Sequence, residues 1–419
     1  HKIYGIGEGA DEILLGFVDN ILIASFSKKL FVNALQQYKE PHYSKSDVFT
    51  AVRSAAYDKE SGESLAKIHI NYDQLDEMMG VYMDDVTSTV TSLSTIMEYS
   101  SFDLKMRDDH AKLSGITAID TAEPSFLKVM QNIDRSEIRS HQVLPGNTSF
   151  MLTIDYHDFD FFYDQVATFM KDDKGFKDFE KTKKSVGGFL GVTMSERKAA
   201  RRKKRGKDDD YFDWIGQEIG LAMVPMNGTG SQQAYVALFH TPDKENAVRD
   251  LKQISKKIKN RTPVKFKTYD YKGYDVNYLH MGGFFRLFLG KLFKKFDKPK
   301  YTILDEFVVF SNDTAAIHRV IDVANGVRPS LPMDAGYRNF FRNFEPNSNY
   351  FLYVNTHNLY GYLPGLLGGE SARGVRKNKK YITCFPRAGL QLISNNGLFQ
   401  SELYFEFDTE DKGGLFQSF

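Results

Sequence analysis

Residues 18–25 read Val-Asp-Asn-Ile-Leu-Ile-Ala-Ser, and residues 304–311 read Leu-Asp-Glu-Phe-Val-Val-Phe-Ser. The two stretches lie 286 residues apart (305 − 19), and the same offset relates further apolar positions. These are Phe31, Ala34 and Leu35, which match Ile317, Val320 and Ile321, and Leu104-Lys105-Met106, which matches Leu390-Gln391-Leu392. Residues 68–71 also match residues 352–355 after one small change in length. Such a repeat indicates that one structural unit occurs twice in the chain.

The order of elements predicts an α+β fold. Each copy has the pattern strand, helix, strand, helix and hairpin, with residues 18–25 predicted as one strand and residues 28–38 as a helix. Asp108-Asp109-His110 in the first copy and Asn395-Asn396-Gly397 in the second separate apolar runs, which predicts two hairpin turns. Strands joined by short turns form antiparallel sheets. We therefore predict a tandem internal repeat of antiparallel sheets with helices packed on one face.

The repeat also predicts the domain boundaries. Residues 1–123 would be the C-terminal part of the first repeat, and residues 124–148 a linker. Residues 149–411 would be a complete second repeat, followed by a tail at residues 412–419. The first copy has no counterpart of residues 150–278, so we expect it to be truncated at its N-terminus, with the counterpart lying before His1.

The composition narrows the function classes. The net charge of +1 argues against a dedicated nucleic-acid-binding protein, because such proteins usually carry a strongly basic domain. No stretch reaches the roughly 18 apolar residues that a membrane-spanning helix needs. Cys384 is the only cysteine, so an intrachain disulfide cannot form. This cysteine usage fits a reducing compartment, and it also fits an exported bacterial protein with a large core.

Four short motifs resemble a bacterial family of uncharacterised exported proteins, the domain of unknown function 3352, in its Bacteroidetes branch. The motifs are Val-Leu-Pro-Gly-Asn-Thr-Ser-Phe at residues 143–150, Trp-Ile-Gly-Gln-Glu-Ile-Gly-Leu at residues 214–221, the strand at residues 305–311 and the strand at residues 349–354. The resemblance implies an exported, often membrane-tethered protein of the cell envelope, without assigned chemistry or catalytic residues. Trp214 and Gly216 are interpreted as packing and turn positions.

The sequence contains no complete catalytic, cofactor or metal-binding motif. None of the ten histidines belongs to a His-Glu-x-x-His motif or stands at metal-ligand spacing from Cys384. The glycines of residues 5–9 resemble a phosphate loop, but the Lys-Ser/Thr pair is missing and nearby acidic residues would repel phosphate. Two Ser-x-x-Lys matches, at Ser25 and Ser125, lack the other elements of a serine acyl-enzyme. We predict no cofactor, no metal and no enzymatic activity.

A basic run is the first candidate for a binding surface. It contains Arg201, Arg202, Lys203, Lys204 and Arg205, and three aspartates follow directly at residues 208–210. These side chains are candidates for electrostatic docking of an acidic partner. The alternative is a solvated helix or insertion, because the aspartates cancel part of the field and no aromatic residues are interleaved for nucleic-acid stacking.

An amphipathic segment at residues 284–296 is the second candidate. Phe285, Phe288 and Leu292 share one face of a helical wheel, and Lys294 and Lys295 lie mainly on the other. This profile is typical of a helix lying in a membrane interface or contacting a partner. The alternative, which we favour, is a core helix whose lysines extend to solvent.

The favoured function is that of a non-enzymatic accessory or scaffold subunit of a bacterial cell-envelope complex. Its partners would be other envelope subunits, with a lipid or membrane surface as a further contact and no nucleic acid. We expect it to be exported to the periplasmic side and tethered through a segment absent from this chain. The alternative is a carrier of a lipid or other apolar ligand, which a deep apolar cavity would favour. An exposed apolar patch over a solid core would favour the scaffold. A hydrolase is the least supported hypothesis.

Overall fold

A computed structural model of the chain describes residues 3–7, 12–41, 46–55, 64–75, 97–119, 126–169, 214–259, 268–278, 296, 299–367 and 369–408. The strands, in chain order, are β1 (Ile3–Ile6), β2 (Ile13–Val18), β3 (Ile21–Ser25), β4 (Ala66–Asn71), β5 (Met97–Met106), β6 (His110–Ile119), β7 (Ser136–Glu137), β8 (Phe150–Asp155), β9 (Glu218–Pro225), β10 (Gln233–His240), β11 (Tyr269–Tyr271), β12 (Tyr274–Tyr278), β13 (Lys300–Ile303), β14 (Phe307–Ser311), β15 (Asn347–Ser348), β16 (Tyr350–Asn355), β17 (Arg387–Asn395) and β18 (Leu398–Glu406).

The helices lie between these strands and in the same described ranges. They are α1 (Lys28–Lys39), α2 (Asp47–Ser54), α3 (Phe126–Met130), α4 (Phe159–Phe169), α5 (Lys244–Lys259), α6 (Thr314–Ala324), α7 (Ala335–Phe341), α8 (Thr356–Leu359), α9 (Leu363–Leu367), α10 (Gly369–Lys377) and α11 (Lys379–Thr383). Mixed helices and a large antiparallel sheet confirm the α+β class.

Thirteen of the described strands form one antiparallel sheet. Its spatial order is β11-β12-β13-β14-β10-β9-β8-β16-β17-β18-β6-β5-β4. The ladder between β18 and β6 pairs Phe399 with Thr117 and Glu406 with His110, and so joins the strands of residues 66–119 to those of residues 150–406. Strands β1, β2 and β3 form a separate three-stranded sheet, and β7 pairs with β15.

Helices cover both faces of the large sheet, so the prediction of helices on one face was wrong. Side chains alternate between the faces along β9, and Ile219 and Leu221 belong to one hydrophobic cluster while Ala222 and Val224 belong to another. Helices α3, α4 and α5 contribute to the first cluster, and α6 and α7 to the second. The physical reason is visible in β9, where all eight residues are buried, so each face needs its own cover.

The hairpin of β2 and β3 corrects a second prediction. Residues 18–25 do not form one strand, because Asp19 and Asn20 make a turn between β2 and β3. Asp19 has a φ of 49°, a left-handed conformation that short Asp and Asn side chains tolerate better than most residues do. Residues 304–311 divide in the same way, with Leu304 N donating to Phe307 O at 2.8 Å across the turn.

Two hairpins of the structure share one register. β2 and β3 pair Leu14 with Ser25 and Phe17 with Leu22, and β13 and β14 pair Lys300 with Ser311 and Ile303 with Val308. Each of these residues lies 286 positions from its counterpart (300 − 14, 311 − 25). The following helices, α1 and α6, begin 286 positions apart as well (314 − 28). The sheet positions differ, since β3 is the last strand of its sheet and β14 lies inside the large one.

The two predicted hairpin turns are confirmed. β5 and β6 are joined at residues 107–109, and β17 and β18 at Asn396 and Gly397. Asn396 has a φ of 50° and Gly397 a φ of 81°, as a two-residue hairpin turn requires.

Replacing Gly397 with valine is expected to lower the free energy of unfolding by about 1–3 kcal/mol, because a β-branched side chain is strained at positive φ. The matched control is Asp109→Val in the other hairpin, where φ is not positive. Urea unfolding at constant pH measures both changes. Equal midpoints for the two variants would argue against the strained turn.

Residues 126–148, predicted as part of a linker, pack closely against the large sheet. Val129, Met130, Ile133, Ile138 and Leu144 are buried here. Asn349 Nδ2 donates to Ile133 O at 2.9 Å, which fixes this segment beside the start of β16. The segment therefore supplies core residues to both hydrophobic clusters.

Candidate functional site

The site residues predicted from the sequence lie outside the described part of the chain. They are Arg201, Arg202, Lys203, Lys204 and Arg205 of the basic run, and Phe285, Phe288, Leu292, Lys294 and Lys295 of the amphipathic segment. Of residues 284–296, only Phe296 is described, and it is buried in the first hydrophobic cluster. The choice between a core helix and a surface helix for this segment stays a prediction.

An open cleft of about 590 Å³ lies beside the segment that follows Leu144. We call it the Asn147 cleft, and its lining comprises Pro145, Gly146, Asn147, Arg328, Pro329, Met333, Asp334, Ala335, Asn355 and Asn358. Its base is two antiparallel segments, because Gly146 N donates to Pro329 O at 2.9 Å and Leu331 N donates to Leu144 O at 2.8 Å. A turn follows at once, closed by Thr148 N and Thr148 Oγ1, which both donate to Pro145 O at 2.9 and 2.7 Å.

Three asparagines give the cleft its hydrogen-bonding groups. Asn355 caps α8, because its Oδ1 accepts from Asn358 N at 3.0 Å. Asn358 Nδ2 then donates to the backbone oxygen of Asn147 at 3.0 Å and ties the turn to the helix. Asn147 itself is exposed at the tip of the turn. A carboxamide both donates and accepts hydrogen bonds, so it suits a ligand with amide groups.

The charged groups of the cleft already have partners within the protein. Asp334 Oδ1 accepts from Tyr337 N at 2.7 Å as the cap of α7, and it lies 3.5 Å from Arg387 Nη2. Arg328 Nε lies 3.4 Å from Asp322 Oδ2. These pairs hold both side chains in structural roles, and the described lining contains no serine, cysteine, lysine or histidine. Such a lining is suited to binding through amides and apolar contact.

Met333 is the apolar element of the cleft. It lines the opening and is 64% exposed, and Val327, next to Arg328, is 61% exposed. A flexible thioether side chain adapts to differently shaped partners. Together with the two prolines of the lining, Met333 gives the cleft an apolar surface beside its asparagines.

A second open cleft, of about 560 Å³, is lined by lysines and tyrosines near β12 and β13. Lys244 Nζ lies 2.7 Å from Asp305 Oδ1, and Lys272 Nζ lies 2.7 Å from Asp322 Oδ1. Two of the three lysines in the lining, Lys244 and Lys272, therefore form ion pairs within the protein.

Two buried carboxyl groups face each other across neighbouring strands. Asp155 of β8 pairs with Glu218 of β9 in the ladder. Glu218 accepts hydrogen bonds from the backbone: Arg139 N lies 2.6 Å from Oε2, and Ser140 N lies 2.9 Å from Oε1. Thr153 Oγ1 donates to Asp155 Oδ2 at 2.7 Å, while Asp155 Oδ1 has no hydrogen-bond partner among the described residues.

Burial shifts the proton equilibria of this pair. Desolvation raises the pKa of Asp155 well above its ordinary range, and the neighbouring Glu218 raises it further. Desolvation also raises the pKa of Glu218 to about 7, against the opposing effect of hydrogen bonds from Ser140 and Arg139. Asp155 and Glu218 therefore keep their protons to a higher pH than exposed carboxyl groups do.

The histidines near this region have structural roles. Burial lowers the pKa of His141 to about 4, and its Nδ1 lies 3.1 Å from Tyr337 Oη. His240 Nδ1 accepts from Gln217 N at 3.1 Å. No group of three or more His, Cys, Asp or Glu side chains in the described ranges has the geometry of a metal site.

Sequence reasoning missed both the cleft and the acid pair. The acid pair had one signal, because Asp155 and Glu218 each stand at the end of an otherwise apolar strand. The cleft had a partial signal in Pro145-Gly146-Asn147, a turn sequence that was used only for its family resemblance. Its other side chains come from residues 328–335 and 355–358, and nothing in the sequence links these segments.

One family model matches a part of the chain. Residues 208–367 match the model of a family described as "Protein of unknown function (DUF3352)". The matched region includes β9 to β14, β16 and most of the lining of the Asn147 cleft. No curated protein and no solved structure was found to match the chain. Within the described residues, the helices are too short or too polar to cross a membrane.

Proposed function

We propose that this protein is a non-enzymatic accessory or scaffold subunit of a bacterial cell-envelope complex, and that a partner polypeptide binds in the Asn147 cleft. The observation that carries the proposal is the lining of the cleft, which combines an exposed Met333 with three asparagines. Carboxamides hydrogen-bond backbone amides, and an exposed thioether supplies apolar contact. The envelope location is supported by the resemblance of residues 143–150 and 214–221 to an exported family.

We also propose that the chain is a tandem repeat whose first copy lacks its N-terminal part. The equal registers of the β2–β3 and β13–β14 hairpins support it, as do the matching helix starts at Lys28 and Thr314. A further support is the Asn that ends β4 and β16, since Asn71 and Asn355 each cap the helical turn that follows. The ladder between β6 and β18 would then join the two copies edge to edge.

A photo-cross-linking residue at position 333 tests the binding proposal. The labelled protein is incubated with envelope membranes of its natural source, and the cross-linked proteins and lipids are identified together by mass spectrometry. We expect one polypeptide to be captured from position 333. The matched control is the same label at Tyr381 of α11, which is 57% exposed and outside the cleft.

Asn147→Ala provides the second arm of this experiment. The side chain is exposed, so its removal should leave folding intact and lower the yield at position 333 by about two- to tenfold, the size of one or two lost hydrogen bonds. Capture of lipid in place of protein would support the carrier alternative. Equal capture at positions 333 and 381 would overturn binding in the cleft.

A further inference from the structure

Besides the outer edge of β1, two strand edges of the first copy have no partner among the described strands. β3 pairs only with β2, and β4 pairs only with β5. In the second copy, β14 and β16 are the counterparts of β3 and β4. Three strands lie between them, because the sheet runs β14-β10-β9-β8-β16. Counterparts of β8, β9 and β10 would therefore fit between β3 and β4.

Side-chain exposure points to the same interval. Ile21 is 52% exposed and Leu22 is 54% exposed. Phe307 and Val308, which lie 286 positions later, are completely buried against the sheet strands and helices of the second copy. Ile21 and Leu22 are consecutive in β3 and point to opposite faces of the sheet, so a large apolar side chain is exposed on each face. The first copy therefore contains β3 without the neighbours that bury its counterpart, β14.

The ladder geometry identifies which amides point into the interval. Leu304 N donates to Phe307 O, so in β14 the amides of Val308 and Phe310 face β10. Their counterparts in β3 are Leu22 and Ala24. On the other side Asn355 N donates to Ser149 O, which directs the amides of Phe351 and Tyr353 toward β8. Their counterparts in β4 are Lys67 and His69.

We infer that three antiparallel strands continue the first sheet from the outer edge of β3 to the outer edge of β4, supplied by residues that precede residue 1 in the natural protein. The unpaired edges and the exposed apolar side chains motivate this inference. It rests on the proposed repeat. In the second copy, β8, β9 and β10 precede β11 to β14 along the chain, so their counterparts in the first copy would precede β1.

The chemistry of the missing strands follows from their neighbours. The middle strand would be covered on both faces, as β9 is, so it should be apolar at nearly every position. The strand beside β3 should carry large apolar side chains, as β10 does with Leu238 and Phe239. Completion of the sheet would bury Ile21 and Leu22 and remove two exposed edges that would otherwise invite aggregation.

Hydrogen exchange tests the inference on two proteins, the 419-residue chain and the same chain extended by its natural upstream residues. In the extended protein, we expect the amides of Leu22, Ala24, Lys67 and His69 to exchange about a hundredfold or more slowly than in the shorter chain. Ile23 is the internal control, because its amide already lies in the ladder with Gly16. Unchanged exchange at the four outward amides would overturn the inference.

A variant and a concentration series test whether another chain, and not the upstream residues, pairs with the outer edge of β3. Leu22→Lys should abolish the added protection of the extended protein and leave the 419-residue chain unaffected, whereas the equally exposed control Tyr381→Lys should change neither. Protection of Leu22 that grows with the concentration of the shorter chain would instead identify a second copy as the occupant and overturn the inference. Cross-linking from position 333 reports on the other copy, so the proposed function is tested separately.

Discussion

Replacing Trp214 with alanine is expected to lower the free energy of unfolding by about 3–5 kcal/mol, the usual cost of truncating a large buried aromatic residue. Trp214 is fully buried in the first hydrophobic cluster, with its ring centroid 5.9 Å from that of Phe239 in β10. Alanine would leave a cavity beside Phe239 in the first hydrophobic cluster, and close-packed neighbours could fill it only in part. The loss should be largely independent of pH.

Urea unfolding followed by far-UV circular dichroism measures this change. Fluorescence is unsuitable because Trp214 is the only tryptophan of the chain. Trp214→Phe is the matched control, which keeps an aromatic ring and should lose distinctly less stability. Tyr381→Ala, at a position that is 57% exposed, should stay within about 0.5 kcal/mol of the wild type. A midpoint of Trp214→Ala equal to that of Tyr381→Ala would contradict the packing role.

The neighbouring Gly216 explains why the Trp-Ile-Gly motif has this spacing. Its amide donates to His240 O at 2.8 Å, and a Cβ at this position would lie 2.3 Å from His240 Nδ1. Only glycine allows the backbone to approach His240 so closely while Trp214 is inserted into the core. Trp214 is therefore a packing position, as predicted, whereas Gly216 does not lie in a turn and is required by its close approach to His240.

Local signals predicted the elements well where one residue type controls the backbone. Asn396-Gly397 correctly predicted the β17–β18 hairpin. The turn at Asp19 was missed because strong apolar residues on both sides suggested one continuous strand. Periodicity cannot separate one long strand from two short ones when both are apolar.

Longer-range features were less accessible from the sequence. The second layer of helices follows from β9 being buried on both faces, and a continuous apolar strand of that kind carries no sign of which helix covers which face. The Asn147 cleft combines residues from three distant segments, and its shape depends on hydrogen bonds such as Gly146 N to Pro329 O. Pairing between distant segments is set by strand register, which a single sequence does not display.

Because of the buried acid pair, Asp155 and Glu218, the free energy of unfolding is expected to fall as the pH rises from about 5 to about 8. An unfolded glutamate has its ordinary pKa near 4.5, whereas burial raises the pKa of Glu218 in the folded protein to about 7. Between these values the folded state holds a proton that the unfolded state has released, so raising the pH favours unfolding. Ionisation of Glu218 is expected to lower the free energy of unfolding by about 3 kcal/mol, and this loss is complete once the pH exceeds 7.

Asp155 acts in the same direction, because desolvation and the nearby Glu218 raise its pKa as well. Glu218→Gln removes one ionisable group and keeps a carbonyl oxygen to accept from Arg139 N or Ser140 N. Its unfolding free energy, measured in urea at pH 5, 6, 7 and 8, should therefore fall less across this range than that of the wild type, and the desolvated Asp155 accounts for the part that remains.

Asp305→Asn is the matched control, because Asp305 is exposed at the surface, where it pairs with Lys244. It should preserve the pH dependence of the wild type. If Glu218→Gln and the wild type lose the same free energy between pH 5 and pH 8, the carboxyl group of Glu218 is ionised in the folded protein throughout, and its backbone donors outweigh the cost of burial. A flattened profile in Glu218→Gln alone would instead locate the titrating proton between β8 and β9.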